Sequence, residues 1–179
     1  MRGCARNSKV FSNPSRLPAA NPAAGSAKTA TTEMTAASAL GTMAAEGALL
    51  LDASVWIASR DPDDRFQVPA LELTFDTDQD AATLDLTFYE VANGVVRRWG
   101  DAAAAAKLCR SVELRCKGNV VGADPSLLEA TAEIAVKHGL TTYDAAYVAA
   151  ARRFDWRLVS TDVRDLVSKG LAITPDAAV

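Results

Sequence analysis

From residue 48 onward, short continuous apolar runs alternate with stretches in which apolar residues recur at helical spacing. The run 48–51 is apolar at every position, which is typical of a strand buried on both faces of a sheet. Residues 157–160 predict a second buried strand, and 120–121 and 172–174 predict shorter ones. Residues 83–87 are predicted to be extended and to lead into a helix.

Between these runs, apolar residues repeat every three or four positions, which predicts amphipathic helices. Five are predicted, over about residues 55–58, 88–99, 102–109, 125–139 and 143–154. Ser54 is expected to cap the first helix, and Gly100 and Gly139 to end the second and the fourth. Residues 61–80 are acidic and poorly periodic, so an irregular segment is predicted there.

Alternation of strands and helices predicts an α/β fold, in which helices cover a parallel sheet. Ligands of such sheets bind beyond the carboxyl ends of the strands. Asp52 and Asp162 each follow a predicted strand, and Asp144 lies in the first turn of a predicted helix. Taken alone, Asp144 is better explained as a charge favoured by the helix dipole. Together, the three aspartates are predicted to converge on one site.

The first 46 residues differ from the rest of the chain, being rich in Ala, Ser, Thr, Asn and Pro without a sustained period. They are expected to be disordered, because they contain too little apolar surface to offset the entropy of ordering. A start of translation at Met34 or Met43 is favoured over a targeting role for this segment. Residues 47–179 are expected to form one domain.

Charge and composition narrow the possible functions. The chain carries a net charge of −3, and its first 46 residues contain five basic and two acidic side chains, so the remainder is more acidic still. Any nucleic acid must therefore bind through local patches, for which the candidates are two arginine pairs, 97–98 and 152–153. Each pair is explained at least equally well as a solvated helix end. No apolar stretch approaches the ~18 residues of a membrane span. The three cysteines suggest no disulfide framework, so a reducing cytoplasm is expected.

Other catalytic classes lack the necessary residues. Cys4, Cys109 and Cys116 match neither a disulfide framework nor a zinc knuckle, and His138 is the one histidine. A group of carboxylates is costly without a cation, since like charges raise one another's pKa. Such oxygen ligands suit Mg²⁺ or Mn²⁺, which activate water for the hydrolysis of phosphate esters.

Four short segments resemble the motifs of PIN-domain ribonucleases, and most closely those of the VapC toxin branch of bacterial toxin–antitoxin systems. They are LLDASV at 50–55, YEVAN at 89–93, YDAAYVA at 143–149 and VSTD at 159–162. The resemblance covers about residues 47–175, in the order and approximate spacing of the family. The acidic segment 61–80 departs from the family, which usually has a helical segment with an apolar pattern there.

The resemblance implies a PIN-like three-layer α/β/α fold with a central, mainly parallel sheet. It also implies an acidic quartet that binds Mg²⁺ or Mn²⁺, formed by Asp52, Glu90, Asp144 and Asp162. Asp52 and Asp144 match metal ligands, and the other two reach the metal directly or through water. Residues that hold a carboxylate or a water are expected among Ser54, Asn93 and Thr161, although Asn93 is explained equally well as an exposed polar residue. Asp165 is a reserve whose expected place is the first turn of the next helix.

Two functions follow from this resemblance. The leading one is a metal-dependent endoribonuclease, the toxin of a type II toxin–antitoxin system, which acts on RNA, forms a homodimer and is inhibited by a VapB-like antitoxin. The alternative is a catalytically weak PIN-like binding module that acts through a protein partner. The intact quartet favours the enzyme, because loss of a carboxylate is the expected mark of an inactive site.

Overall fold

In a computed structural model, residues 47–179 are described. The predictions made for residues 1–46 lie outside these residues. Four strands pair in parallel in the order β3-β2-β1-β4. They are β1 (Leu49–Leu51), β2 (Ala81–Leu84), β3 (Val120–Val121) and β4 (Arg157–Val159).

Six α-helices connect and cover these strands within the described residues. They are α1 (Ala53–Ala58), α2 (Gln67–Phe75), α3 (Leu86–Trp99), α4 (Ala102–Cys116), α5 (Pro125–His138) and α6 (Thr142–Phe154). A π-helical turn over Val163–Val167 and a 3-10 turn over Pro175–Ala177 complete the chain. Gly100 and Gly139 end α3 and α5 as predicted, with φ of 66° and 61° in the left-handed region that glycine adopts easily.

The two faces of the sheet pack against different helices, which confirms the three-layer α/β/α prediction. Leu49 and Leu51 belong to a core with α1–α4, whereas Leu50 belongs to a second core with α5 and α6. Side chains alternate in direction along a strand, so a strand covered on both faces must be apolar at every position. All three residues of β1 are at most 1% exposed, as the run 48–51 predicted.

The prediction of an irregular segment over 61–80 was wrong, because the segment contains α2. This helix buries Ala70, Leu73 and Thr74, whose spacing of three and four residues places them on one face. The guanidinium of Arg115, which is only 9% exposed, donates to the carbonyls of Leu73 at 3.2 Å and Gln79 at 2.9 Å. The end of α2 is therefore held by a side chain far away in the sequence.

Other predicted boundaries also moved. The predicted helix 102–109 continues to Cys116, because Leu108, Val112 and Cys116 extend the buried face at four-residue spacing. The predicted strand 172–174 is reduced to a single bridge between Ile173 and Val159, since Pro175 begins a turn directly after it. Among the described residues, no helix is both long and apolar enough to cross a membrane.

Candidate active site

The strand order predicts a crevice at the carboxyl ends of β1 and β4, which we call the acidic crevice because Asp52 and Asp162 follow these two strands. The chain passes from β1 to β2 on one side and later returns to β4 on the other side. The connections therefore diverge at this point, and in open parallel sheets ligands bind outside the carboxyl ends of the strands where this happens. Asp52 follows β1 directly, and Asp162 follows β4 after Ser160 and Thr161.

Asp52 is a buried carboxylate at the start of α1. It is 6% exposed, and its Oδ1 accepts from the backbone N–H groups of Ser54 at 2.8 Å and Val55 at 3.2 Å. Asp52, and not Ser54 as predicted, is thus the N-cap, because its extended backbone directs the carboxylate at the free N–H groups of the first turn. Burial raises the pKa of Asp52, and hydrogen bonds from Ser160, Ser54 and Val55 only partly oppose this shift.

Two serines connect Asp52 to the loop after β4. The hydroxyl of Ser54 donates to Asp52 Oδ1 at 2.5 Å and accepts from the N–H of Thr161 at 2.9 Å. The fully buried Ser160 also bonds to Asp52, and its hydroxyl accepts from the N–H of Asp162 at 3.0 Å. Ser54 therefore contacts a carboxylate as expected, whereas Thr161 takes part through its backbone. Ser160 was missed, although a polar residue that ends a buried strand needs a partner.

Asp162 lies at the same edge, but its carboxylate has a further structural task. Its Oδ1 accepts from the N–H of Asp165 at 2.9 Å, which caps the π-helical turn. Asp165 lies in the first turn, as predicted, and pairs with Arg164 at 2.6 Å and Lys169 at 3.7 Å. The ion pairs with these two cations explain the position of Asp165, so no role in the acidic crevice is needed to explain it.

Glu90 and Asp144 lie on α3 and α6, two helices that are joined through hydrogen bonds of Tyr147. Thr87 and Glu90 are three residues apart on α3, and Asp144 and Tyr147 are three apart on α6, so each pair lies on one helix face. The hydroxyl of Tyr147 donates to Glu90 Oε2 at 2.7 Å. Burial raises the pKa of Glu90, the Tyr147 hydrogen bond lowers it, and the charges of Asp52 and Asp144 raise it further. Three of the four predicted carboxylates therefore interact electrostatically.

Asp144 is half-buried and also stabilises the start of α6. The Thr141 hydroxyl accepts from the Asp144 N–H at 3.1 Å and donates to Asp144 Oδ2 at 2.7 Å. This reciprocal pair is a helix cap, and a negative charge in the first turn is favoured by the helix dipole. Asp144 therefore stabilises the start of the helix, as its position predicted, and its charge also acts on Glu90.

Three hydroxyl groups connect Glu90 to the end of β1. Thr83 donates to the carbonyl of Leu51 at 2.8 Å, Thr83 and Thr87 are 2.7 Å apart, and Thr87 lies 2.7 Å from the Tyr147 hydroxyl. The contact between Tyr147 and Glu90 completes the series, so four contacts share three hydroxyl hydrogens. Because Thr83 donates to Leu51 and Tyr147 donates to Glu90, the hydrogen of Thr87 serves one of the two contacts that Thr87 makes. These hydroxyls were not predicted from the sequence.

Comparisons with known proteins agree with this geometry. The sequence profile described as PIN domain matches residues 49–168. The chain belongs to the PIN-domain family. A relative is Ribonuclease VapC3 of Pyrobaculum aerophilum, which is 33% identical over 135 residues that cover 71% of this chain and 98% of that protein. The resemblance inferred from the four short motifs is thus confirmed at the level of the family.

Solved structures share the PIN fold. The crystal structure of PAE2754 from Pyrobaculum aerophilum superposes with a TM-score of 0.57 at 28% identity, covering 74% of this chain and 86% of that one. VapC20 of Mycobacterium tuberculosis, whose structure is described as that of a sarcin–ricin loop cleaving toxin, superposes with a TM-score of 0.58 at 20% identity. That match covers 69% of this chain and 95% of VapC20, and it is a likeness of fold.

The predicted arginine pair on α6 lies away from the acidic crevice, whereas Asn93 follows Glu90 by one turn of α3. Asn93 is exposed on α3. Arg153 is paired with Asp124 at 2.5 Å, in the last turn of α6. The rise of a helix puts Arg152 and Arg153 about 12 Å or more along α6 from Asp144. The second arginine pair of the predicted patch is therefore not at the crevice.

Arg98 lies closer to the crevice. Its guanidinium pairs with the buried Asp61 at 2.9 Å. Together with Arg65 and Thr161 it lines a cavity of about 410 Å³, which adjoins the loop that carries Asp162. Of the predicted arginine patch, Arg98 is thus the cation associated with the carboxyl edge of the sheet.

The donor set suits a hard divalent cation. In residues 47–179, no three side chains of the types Asp, Glu, His and Cys converge closely enough to form a preformed cage. The interacting groups Asp52, Glu90 and Asp144 are all carboxylates, and burial raises the pKa of the first two. Mg²⁺ and Mn²⁺ are bound by a few carboxylates with several retained waters, which matches such an open oxygen site. A cation here would also offset the repulsion among the carboxylates.

Proposed function

We propose that this PIN domain is a metal-dependent endoribonuclease, the toxin component of a type II toxin–antitoxin system, which hydrolyses RNA phosphodiester bonds. The observation that supports this most directly is the position of Glu90 at the switch point of the sheet, where the charges of Asp52 and Asp144 both act on it. A partly buried carboxyl group whose pKa is raised by burial and by neighbouring charges is unfavourable unless a cation binds it, and such groups concentrate at functional sites. The ribonuclease name of VapC3 supports RNA as the substrate class.

In this proposal each carboxylate has a defined role. Asp52 and Asp144 bind Mg²⁺ or Mn²⁺ directly, and Glu90 and Asp162 bind it directly or through water. When bound, the cation supplies an activated water and neutralises charge on the phosphate oxygens. Ser54 and Ser160 orient Asp52 through their hydrogen bonds, and Thr141 orients Asp144. These contacts hold the carboxylates in place while the phosphate approaches from the open side of the crevice.

The RNA backbone needs a local cation, because the described chain is acidic. Arg98 and Arg65 line the cavity next to Thr161 together with three aspartates, so these two guanidinium groups are the part of the cavity that can contact a phosphate on one side of the scissile bond. Contacts of this type position the RNA without reading its sequence. The salt bridge to Asp61 keeps the Arg98 guanidinium at this edge of the sheet.

The test is cleavage of a labelled RNA by the purified chain with Mn²⁺ or Mg²⁺, with and without EDTA. Cleavage is expected only with a divalent cation and is expected to be lost in Asp52→Asn. Asp155→Asn is the matched control, because Asp155 is exposed at the far end of α6, at φ 55°, where Asn is readily accepted. Lack of any metal-dependent cleavage by the wild-type chain would favour the alternative function, a binding module that acts through a partner.

A VapB-like antitoxin is the proposed partner, and a homodimer the proposed assembly. An acidic crevice attracts a basic side chain, and an Arg or Lys inserted there would pair with Asp52 or Glu90 in competition with the cation. Adding the antitoxin, taken as the co-expressed product of the adjacent gene, is therefore expected to weaken Mn²⁺ binding in titration calorimetry. Equal affinity with and without it would mean that inhibition works through blocked access of RNA alone. Light scattering of the free chain tests the homodimer.

A further inference from the structure

A line of three buried hydroxyl groups runs through the core of the domain from one side of the acidic crevice to the other. Thr83 and Thr87 are 0% exposed, and Tyr147 is 2% exposed. One end of the line is the carbonyl of Leu51, the residue directly before Asp52, and the other end is Glu90 Oε2. Every step between neighbouring oxygen atoms is 2.7 or 2.8 Å.

Packing alone does not account for this arrangement. The three residues come from β2, α3 and α6, and the contacts of Tyr147 with Thr87 and Glu90 join segments 60 and 57 residues apart in the sequence. Burying a hydroxyl costs free energy unless it is hydrogen-bonded, so Val at the two threonine positions and Phe at the tyrosine position would fill the same space without that cost. A complete series of polar groups in an otherwise apolar core indicates a requirement other than packing.

We propose that Thr83, Thr87 and Tyr147 are positioning residues, which fix the Glu90 carboxylate relative to Asp52 and thereby set the affinity of the crevice for its divalent cation. This inference rests on the proposed function, since it concerns the same metal site. None of the three hydroxyls is assigned a contact with the cation or the RNA. Their effect passes through Glu90.

The physical reason lies in the freedom of the Glu90 side chain. Glutamate has three side-chain torsions, and Glu90 is repelled by Asp52 and Asp144, so in isolation it would favour rotamers that point away from them. The Tyr147 hydroxyl holds one carboxylate oxygen in place. Tyr147 is in turn connected through Thr87 and Thr83 to Leu51, whose carbonyl belongs to the central strand β1. The distance between Glu90 and Asp52 is thus held by contacts with β1, the most buried part of the sheet.

The experiment measures Mn²⁺ affinity by titration calorimetry for the wild-type chain and four variants. Tyr147→Phe and Thr87→Val remove a hydroxyl while keeping the shape of the side chain. Each is expected to weaken Mn²⁺ binding by about 10-fold or more, the size found when groups that hold metal ligands are removed. Thr87→Ser keeps the hydroxyl and is expected to retain most of the affinity that Thr87→Val loses. Tyr143→Phe is the matched control, because Tyr143 lies on the same helix and is 63% exposed.

Melting temperatures in EDTA identify variants that fail to fold. If Tyr147→Phe is one of them, the comparison of Thr87→Val with Thr87→Ser tests the positioning role. Wild-type binding of Mn²⁺ with unchanged affinity in Tyr147→Phe and Thr87→Val would overturn the positioning role and leave the proposed function intact. Equal weakening in Thr87→Ser and Thr87→Val would overturn it as well, because the hydroxyl would not be the cause. No Mn²⁺ binding by the wild-type chain would refute the proposed metal site, and the positioning role with it.

Discussion

Replacement of Asp52 by Asn is expected to stabilise the metal-free protein at neutral pH while removing the proposed cleavage. The amide oxygen of Asn can accept the same hydrogen bonds from the N–H groups of Ser54 and Val55, and Asn is as good an N-cap as Asp. The buried negative charge is lost, together with its repulsion of Glu90. Stability and activity are therefore expected to change in opposite directions.

The magnitude follows from the balance of contacts around Asp52. Hydrogen bonds from Ser54, Val55 and Ser160 favour the ionised carboxylate, yet burial outweighs them and the pKa is raised. Folding thus favours the neutral side chain relative to the unfolded chain, and a gain of about 1–2 kcal/mol is expected, a usual size for a stabilising substitution. For a domain of this length, that corresponds to an increase in Tm of roughly 3–8 °C. Cleavage is expected to fall by more than about 100-fold, since even residues that only hold metal ligands change activity by 10- to 100-fold.

The pH dependence of the free energy of unfolding shows whether the Asp52 carboxyl group causes the expected gain in stability. A group whose pKa is raised on folding contributes stability that is present below its unfolded-state value, about 3.8 for Asp52, and is lost as the pH rises through the higher folded-state value. The difference in free energy of unfolding between Asp52→Asn and the wild type should therefore be small at acid pH and grow toward neutral pH. Urea unfolding in EDTA over this range measures it, with Asp155→Asn as the control. A variant that is less stable than the wild type at pH 7, or a gain that does not depend on pH, would refute the reasoning.

Other perturbations test the remaining parts of the molecule. Arg115→Met is expected to cost about 2–3 kcal/mol in urea unfolding, because two backbone carbonyls lose their charged donor, while the exposed Arg110→Met on the same helix should change little. Millimolar Mn²⁺ is expected to raise the Tm of the wild type, by preferential binding to the folded state, and to raise that of Asp52→Asn much less. A chain that starts at Met43 should keep its Tm and activity, since the two hydrophobic cores of the described residues begin at Leu49 and Ala48. Unchanged unfolding of Arg115→Met, equal Mn²⁺ shifts, or a loss of several degrees on truncation would each contradict the corresponding argument.

Elements with strong local signals could be predicted from the sequence. The strand β1 has three consecutive leucines, and α5 has an Asp–Pro start and a Gly end, so their positions follow from burial and capping alone. The helix α2 could not be predicted in this way, because its buried face is short and the surrounding segment is acidic. Its end is held by Arg115, whose guanidinium reaches carbonyls 42 and 36 residues away in the sequence. That stabilisation exists only in the folded chain.

The residues of the candidate site likewise fall into those with a local sequence signal and those without one. Asp52 and Asp162 follow strands, so the topology of a parallel sheet was enough to place them at one edge. Glu90 came from the family motif, and the hydrogen bonds of Tyr147 that join α3 to α6 exist only in the folded chain. The hydroxyls of Thr83 and Thr87 gave no signal, because threonine is ordinary in strands and at the start of helices. Tyr147 is buried, and the need of a buried phenol for a partner was the one available indication of the hydroxyl line.

The position of Asp52 explains why the carboxylates of this site are both costly and well placed. The residues of β1 are at most 1% exposed, so the residue that follows the strand must also lie in the interior. The N–H groups at the start of α1 offset part of the cost of burying the Asp52 charge. The raised pKa of Asp52 shows that the rest of this cost remains. A cation that enters from the open side, where Asp144 and Asp162 are half-buried, would remove that remainder. The same burial that destabilises the metal-free domain would therefore give the crevice the proposed affinity for a cation, and any substitution that relieves this destabilisation should weaken cation binding.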